Sequence, residues 1–350
     1  MSLAPSAPQR ILVFQTAFLG DAILTIPLIE ALKDRFPAAL IDIVVIPGAV
    51  NILETLPYIN AVIPFDKRGN GKGLKGLLGL AALLRRRNYD LALVPHRSFR
   101  TALLVKLSRI TFTLSFDRSA GAFLYSQTVP YRRDFHEINR NLALGTPLGL
   151  DPLKQRFPKV YPTPEDRQKV SDWLDGAALK TGQPLIALAP GSVWNTKRWP
   201  AERFGRLAGL LARGGFQPVM IGGPADVQTG AAVEAVFGGP LPNAIGQLTL
   251  RESAALLERC NALITNDSAP LHLAVATATP VVAIFGATVT EFGFYPYHPD
   301  DMVVETAGLS CRPCGAHGGH KCPIGTFECM LNIEASRVFE ALKMRLKDEN

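Results

Sequence analysis

The sequence predicts an α/β chain of two Rossmann-like domains, each a mostly parallel sheet with helices on both faces, and three observations predict it. At 350 residues the chain exceeds one ordinary core and suits two. Apolar residues make up 47% and charged residues 19%, a balance that buries a real interior and excludes disorder. Short apolar runs alternate with stretches of helical period in both halves, and a Pro-rich tract, PLGLDPLKQRFPKVYPTP, interrupts the rhythm from Pro147 to Pro164.

In the first half, RILVF from Arg10 reads as a strand, Gly20-Asp21 as a loop, and AILTIPLIEALKDRF as one helix through Phe36. LIDIVVI is a strand ending at Pro47-Gly48, AVNILETLP a helix, and AVIPF a strand ending at Asp66. After the flexible GNGKG come a helix over 74–87, the strand LALVP, the helix SFRTALLVKLS and the strand ITFTLSF. A further helix covers 136–144. The domains are expected at 1–175 and 176–350, with the helix PEDRQKVSDWLDG near the hinge.

The second half restarts with the strand PLIALAP, the helix AERFGRLAGLLARGG and the strand FQPVMIGG. A helix from Ala225, the helix RESAALLERCN, the strand ALITN, a helix over LHLAVATA and the strand PVVAIFG follow. Two such units in series predict a cleft faced by the carboxyl ends of their strands. Fold alone names no reaction.

The apolar stretch from Leu271 is divided by His272 and Pro280, so no membrane span is expected. The first ten residues lack a basic n-region, which argues against a signal peptide and for a cytoplasmic protein. A formal charge of +7, with Lys67, Arg68, Lys72, Lys75, Arg85, Arg86, Arg87, Arg97, Arg100, Arg109 and Arg118 in the first half, favours an anionic partner or a solvated basic face. No helix-turn-helix, finger or aromatic stripe accompanies the charge, so no nucleic acid is expected.

Neither half carries a G-x-G-x-x-G after a strand or a G-x-x-x-x-G-K-[ST], which sets aside the usual dinucleotide and P-loop chemistries. Three polar clusters at strand ends of the second domain stand in their place. In APGSVWNTKRWP, a Gly191-Ser192 turn can offer N–H groups and a hydroxyl to a phosphate, and Lys197 can neutralise a diphosphate leaving group. The competing role is a surface loop with Trp199 packed beneath the helix that follows. In GGPAD, Gly222 and Gly223 permit close ligand approach, while Asp226 can accept from ribose hydroxyls or simply cap the next helix.

The third cluster, TNDSAPLHLA, places Asp267 and Ser268 at a strand end, a helix start behind them, and His272 one turn in, within reach of phosphate oxygens. Its ordinary counterpart is a cap network with a core histidine. In the first domain Asp21 can deprotonate an acceptor hydroxyl or cap its helix. Arg97, Ser98, Arg100 and Arg118, with His96, can seat an anionic acceptor.

These motifs, taken in order, carry a family likeness. ILVFQTAFLGDAILTIPLIEALKDRFP, PHRSFRTALL, DRSAGAFLY, PGSVWNTKRWP, GGPAD, TNDSAPLHLAVATATPVVAIFGAT and the tail CRPC…KCPIG…CM cover nearly the whole chain. The chain resembles the bacterial ADP-heptose:lipopolysaccharide heptosyltransferases of glycosyltransferase family 9, most of all their heptosyltransferase II branch.

The resemblance implies the GT-B fold, an ADP-heptose donor held by the C-terminal domain, and no required metal. It implies that Lys197 and Ser192 lie by the donor phosphates, that Asp267 and His272 are donor-site residues, and that Asp21 is the base. Asp226 as the ribose partner is a weaker transfer. Val193 stands where relatives often have a small hydroxyl residue, leaving only a backbone contact there. The implied reaction is inverting transfer of L-glycero-D-manno-heptose to the first heptose of an anionic lipopolysaccharide inner core. It would take place by peripheral contact at the cytoplasmic face of the inner membrane. Addition of the first heptose, another family 9 transfer, or a nucleotide-sugar-binding sensor are the alternatives.

Cys311, Cys314, Cys322 and Cys329 form C-x2-C-x7-C-x6-C, a pattern compatible with a structural zinc or an iron-sulfur cluster. Pro313, Pro323 and the glycines between them also suit a compact knuckle held by packing or by a disulfide. His317 and His320 are expected to face solvent.

Overall fold

The structure, a computed structural model, describes residues 5–177, 179 and 182–347. The chain divides into two compact units, the first running to Tyr161 and the second starting at Pro162.

In the first unit β1 (Arg10–Gln15), β2 (Leu40–Val45), β3 (Ala61–Pro64), β4 (Leu91–Val94), β5 (Phe112–Phe116) and β6 (Gln127–Val129) form one parallel sheet in the order β3-β2-β1-β4-β5-β6. β1 is central, with Ile11 beside both Ile41 and Leu91. Because helices cover both faces, the inner strands read as continuous apolar runs, and β4 is buried at every residue.

In the second unit β7 (Leu185–Ala189), β8 (Gln217–Met220), β9 (Ala262–Asn266), β10 (Val281–Phe285) and β11 (Met302–Glu305) form a parallel sheet in the order β11-β10-β9-β7-β8. The Ala201–Arg213 helix buries Phe204, Leu207, Ala208 and Leu211 at helical spacing. The phenylalanine and each leucine contribute about 1.5–3 kcal/mol by leaving water.

Several elements depart from the sequence reading for physical reasons. The expected single helix through Phe36 is two, Leu19–Leu24 and Ile26–Arg35, joined at Thr25. Pro27 has no N–H to give the carbonyl four residues back, so the first helix ends there. The helix expected from Ala225 starts as the tighter turn Pro224–Asp226 and continues as Val227–Phe237. β6 and β11 are three- and four-residue edge strands too short to show a period.

The Ala335–Lys347 helix also went unread, although Val338, Ala341, Leu342 and Arg345 are spaced for one buried face. It joins the core beneath Trp199 and Phe204. The Pro164–Gly176 helix belongs to the second unit. Thr163 and Asp166 cap it, and ion pairs Lys169–Glu252 (2.8 Å) and Arg167–Glu258 (2.9 Å) tie it to the segment around the Leu250–Leu257 helix.

Candidate functional site

In an open parallel sheet, ligand sites form at the carboxyl ends of strands where the strand order reverses. In the second unit the reversal falls at β7, which has β8 on one side and β9 on the other. The loops after β7 and β9 meet there, and the side chain of Asn266 joins them. Its Nδ2 donates to the carbonyls of Pro190 (2.9 Å) and Gly191 (3.3 Å), and its Oδ1 accepts from the Trp199 N–H at 2.9 Å. Trp199 is buried, packs edge-on against Phe204 and donates its indole N–H to the Ile333 carbonyl at 3.0 Å.

With both ends of the loop held, Lys197 projects to Asp267, Nζ to Oδ2 at 2.6 Å. The hydroxyl of Thr288, from the loop after β10, donates to the same oxygen at 2.6 Å. Asp267 is buried and Lys197 nearly so, a charge pair that holds the ammonium in one place. Beside it His272 is buried, and burial, with the neighbouring Lys197 charge, pushes its pKa down to about 3. At neutral pH its imidazole is uncharged and able to donate or accept one hydrogen bond per nitrogen.

Ser192 is buried, and its carbonyl accepts from Arg198 Nε at 2.6 Å. Val193 is exposed. Ser268 heads the Ala269–Ala276 helix without capping it by its side chain; its hydroxyl donates instead to the Asn266 carbonyl at 3.3 Å. Asp226 accepts from the Gly223 N–H at 3.0 Å, which closes the Pro224–Asp226 turn, and its side chain makes no cap bond to the Val227–Phe237 helix. Its carboxylate also lies against Gly191, where a β-carbon would come within 2.2 Å of it, and against Gly222 at 3.0 Å. The glycines here are the clearance that lets the two loops meet.

The cysteine-rich segment grips the Lys197 loop. Gly319 donates to Thr196 Oγ1 at 2.7 Å, Thr196 returns a bond to the Gly319 carbonyl at 3.0 Å, and Asn195 reaches the His320 carbonyl. The exposed His320 ring lies beside Trp194, 5.0 Å between centroids. Arg312 donates to the carbonyl of Thr288 and to Glu305. The five cysteines are free thiols, and among the described residues no three or more His, Cys, Asp or Glu side chains are grouped to hold a metal ion. Burial raises Cys329 to about 11, while N–H groups of Phe327, Ile324, Gly325 and Thr326 lower Cys322.

In the first unit the strand order reverses at β1, between β2 and β4. The loops after β1 and β4 meet through His96 Nδ1, 3.3 Å from Thr16 Oγ1 and 2.7 Å from Thr101 Oγ1. Burial, with the charges of Lys67 and Arg97, lowers His96 to about 4. Lys67 donates to the Thr16 carbonyl, and burial first, then Arg100 and Arg68, lowers its pKa against the pull of Asp21.

Asp21, in the first turn of its helix, accepts from the Phe18 N–H at 3.1 Å through Oδ2, so it does serve as a cap. Its charge is felt at Lys67, Tyr131 and Glu137. Arg97 and Arg140 both lie over the Tyr131 ring, 4.1 and 4.6 Å from its centroid, and Arg140 pairs with buried Glu137. Ser98 caps the Phe99–Leu107 helix by accepting from the Thr101 N–H. Arg100 donates to the carbonyls of Gly71 and Gly73, holding the loop before the Gly73–Arg86 helix, and Arg118 is exposed after β5.

The second unit thus brings together Ser192, Lys197, Asp226, Asp267, Ser268 and His272 around the Gly191 and Gly222 turns. The first gathers Asp21 and Arg97 with Lys67, Tyr131, Arg140 and Glu137, while Ser98 caps a helix and Arg100 holds a loop. Sequence reasoning missed Thr288, which the same strand-end argument applied to PVVAIFG-A-T would have found. It also missed Glu137 and Arg140, which lie on a helix away from any strand end, and Tyr131, which follows the three-residue β6.

Residues 78–320 match the profile of glycosyltransferase family 9 (heptosyltransferase). The chain is 30% identical to lipopolysaccharide heptosyltransferase 3 of Escherichia coli, over 77% of this chain and 82% of that protein. It is 26% identical to lipopolysaccharide heptosyltransferase 2 of Salmonella typhimurium, over 97% and 99%. The crystal structure of a family 9 glycosyl transferase from Veillonella parvula superposes with a TM-score of 0.87 at 26% identity, covering 97% of this chain and 98% of its own. The two parallel-sheet units are those of the GT-B architecture.

Proposed function

This chain belongs to glycosyltransferase family 9 (heptosyltransferase), and we propose that the heptose it transfers from ADP-heptose to the lipopolysaccharide core is placed on the first heptose of the inner core, with inversion. Support for that step comes from near-complete coverage of a heptosyltransferase 2 relative. The observation that carries the donor half of the proposal is the Lys197–Asp267 pair held beside neutral His272 at the strand-order reversal.

As the glycosidic bond to ADP breaks, negative charge grows on the diphosphate. Lys197, fixed by Asp267, supplies a positive charge already in place, and a preset group of this kind needs no reorganisation as the bond breaks. The start of the Ala269–Ala276 helix adds N–H groups at Ser268, and His272 offers a neutral donor. Ser192 and the Gly191 and Gly222-Gly223 turns bound the phosphate region, with Asp226 toward the ribose. On the first unit Asp21 takes the proton from the acceptor hydroxyl, which attacks the anomeric carbon as ADP leaves. Arg97 and Arg118, among the basic residues there, meet the acceptor's phosphates and carboxylates. Among the described residues no helix is long and apolar enough to cross a membrane, and the proposed setting is surface contact at the cytoplasmic face of the inner membrane.

A second reading, addition of heptose to a different core position, is favoured by the 30% identity to a heptosyltransferase 3. The test is mass-resolved transfer from ADP-heptose offered in parallel to Kdo2-lipid A, heptosyl-Kdo2-lipid A and a diheptosyl core. Product on the second alone is expected. Product only on the first or third moves the step, and folded, donor-binding protein with no product on any would make the chain a sensor.

A further inference from the structure

The Gly73–Arg86 helix is amphipathic in an unusual sense. Its inner face buries Leu77, Leu80, Ala81 and Leu84, as a helix of a globular protein should. Its outer face also carries large apolar side chains, one turn apart: Leu74 is 67% exposed and Leu78 47%. Single exposed leucines are ordinary, but these two have company. Phe99, the first residue of the next helix, is 52% exposed, and Phe123 is 82% exposed.

Contacts between elements put three of the four at one end of the first unit. The guanidinium of Arg100 donates to the carbonyls of Gly71 and Gly73, which fixes the start of the Phe99–Leu107 helix against the start of the Gly73–Arg86 helix. Gly121 packs so near that a β-carbon there would lie 3.0 Å from the Phe99 ring, which brings in the Ala122–Leu124 turn. Leu74, Phe99 and Phe123 therefore gather on the segments that follow strands β3, β4 and β5. That is the carboxyl rim of the sheet, the rim on which Asp21 also sits.

The charge around this cluster is one-sided. From Lys67 to Arg118 the chain carries twelve basic residues, four lysines and eight arginines, against two acids, Asp90 and Asp117. Asp90 already accepts from the N–H groups of Gln9 and Arg10, and Asp117 from that of Tyr131. Lys72, Lys75, Arg85 and Arg86 are exposed along the helix bearing Leu74 and Leu78. Large apolar side chains in a basic field fit a surface that is apolar within and anionic without.

We propose that Leu74, Leu78, Phe99 and Phe123, flanked by Lys72 and Lys75, form a docking face that inserts into the headgroup layer of an anionic phospholipid bilayer. This deepens the proposed function, since it rests on the reading that the acceptor sugar is carried by a lipid. The basic residues draw the first unit to the surface and the apolar side chains hold it there. The rim bearing Asp21 is then on the membrane side, where a lipid-borne sugar is presented.

The test is co-sedimentation of the full chain with vesicles of phosphatidylcholine alone or doped with phosphatidylglycerol. It compares wild type with the Leu74→Ser/Leu78→Ser/Phe123→Ser variant and with Lys72→Gln/Lys75→Gln. Thermal midpoints and ADP-heptose binding, expected to be unchanged, show that both variants fold. Wild type should pellet with the doped vesicles only, and the apolar variant should partition about tenfold or more weakly. The lysine variant should weaken less and show a shallower response to salt, since Arg85 and Arg86 remain. Equal partition of wild type and the apolar variant, or no preference for anionic vesicles, overturns the docking face. Vesicle binding without sugar transfer to any core acceptor would leave the face standing and sink the activity, whereas transfer to a lipid-free acceptor by a chain that ignores vesicles would do the reverse.

Discussion

The two units place their polar residues at the same topological point yet treat charge differently. In the second, the charged groups are matched: Lys197 is held by Asp267, Asp267 by Thr288, and the loop by the amide of Asn266. In the first, cations outnumber acids, and they are held by stacking on Tyr131 and by backbone carbonyls as much as by carboxylates. A matched, clamped site suits one ligand in one pose, and an excess of one sign suits a bulkier partner of the opposite sign. Both share a histidine whose pKa burial lowers, His272 buried and His96 partly so.

The sharpest way to break this division is Asp21→Asn. If the first unit supplies the base, turnover falls by about 10^2–10^4 while ADP-heptose affinity, measured by calorimetry, stays within about twofold. A matching loss of donor affinity would mean that Asp21 serves the donor and that the units do not divide the work. Lys197→Ala should cost about 10^2–10^3 in kcat, with a smaller loss of affinity, because preset charge acts mainly as the leaving group develops its own. An effect on KM alone would reduce Lys197 to a binding residue.

Gly191→Val tests the clearance between loops. Its β-carbon would meet the Asp226 carboxylate at 2.2 Å, so donor affinity should fall about tenfold, with about 1–3 kcal/mol lost in a urea titration. The smallest effect concerns acid. A histidine titrates near 6.5 when unfolded, and folded His272 only near 3. The stability it lends is complete above pH 6.5 and is lost as pH falls toward 3, because the unfolded chain binds the proton first. Urea midpoints taken between pH 7 and 5 should decline in wild type and decline less in His272→Gln. His96, shifted to about 4, supplies the same sign from the first unit, so the double variant should be flatter still.

Much of this was legible in the chain. Inner strands of a parallel sheet are short apolar runs, so the polar residues that end them stand out: Gly191-Ser192, Asn266-Asp267-Ser268 and His96-Arg97 were visible for that reason. What the residues do there was less visible. Asp267 and Asp226 gave no sign of their partners, Thr288 and Gly191, because those contacts are made across loops far apart in sequence. Asp21 and Ser98 turned out to cap helices, and Arg100 to brace a loop, roles that compete with ligand binding for the same side-chain types. Glu137 and Arg140 lay outside any strand end, and Tyr131 follows β6, an edge strand too short to read; the packing of the Glu137–Ala143 helix on the Leu19–Leu24 helix, seen in the bond from Asn141 to the Leu24 carbonyl, brings the pair near Asp21.

The grip of the 318–320 segment on the Lys197 loop also sets an order of events during synthesis. Thr196 is 123 residues ahead of Gly319, and Trp199 is 134 ahead of Ile333. A chain leaving the ribosome can close the first unit once Tyr161 is out. Lys197 must then wait, its loop lacking Gly319, His320 and Ile333, until nearly the whole sequence has emerged. Nascent chains stalled before Gly318 should therefore carry a finished first unit and an unfinished second unit.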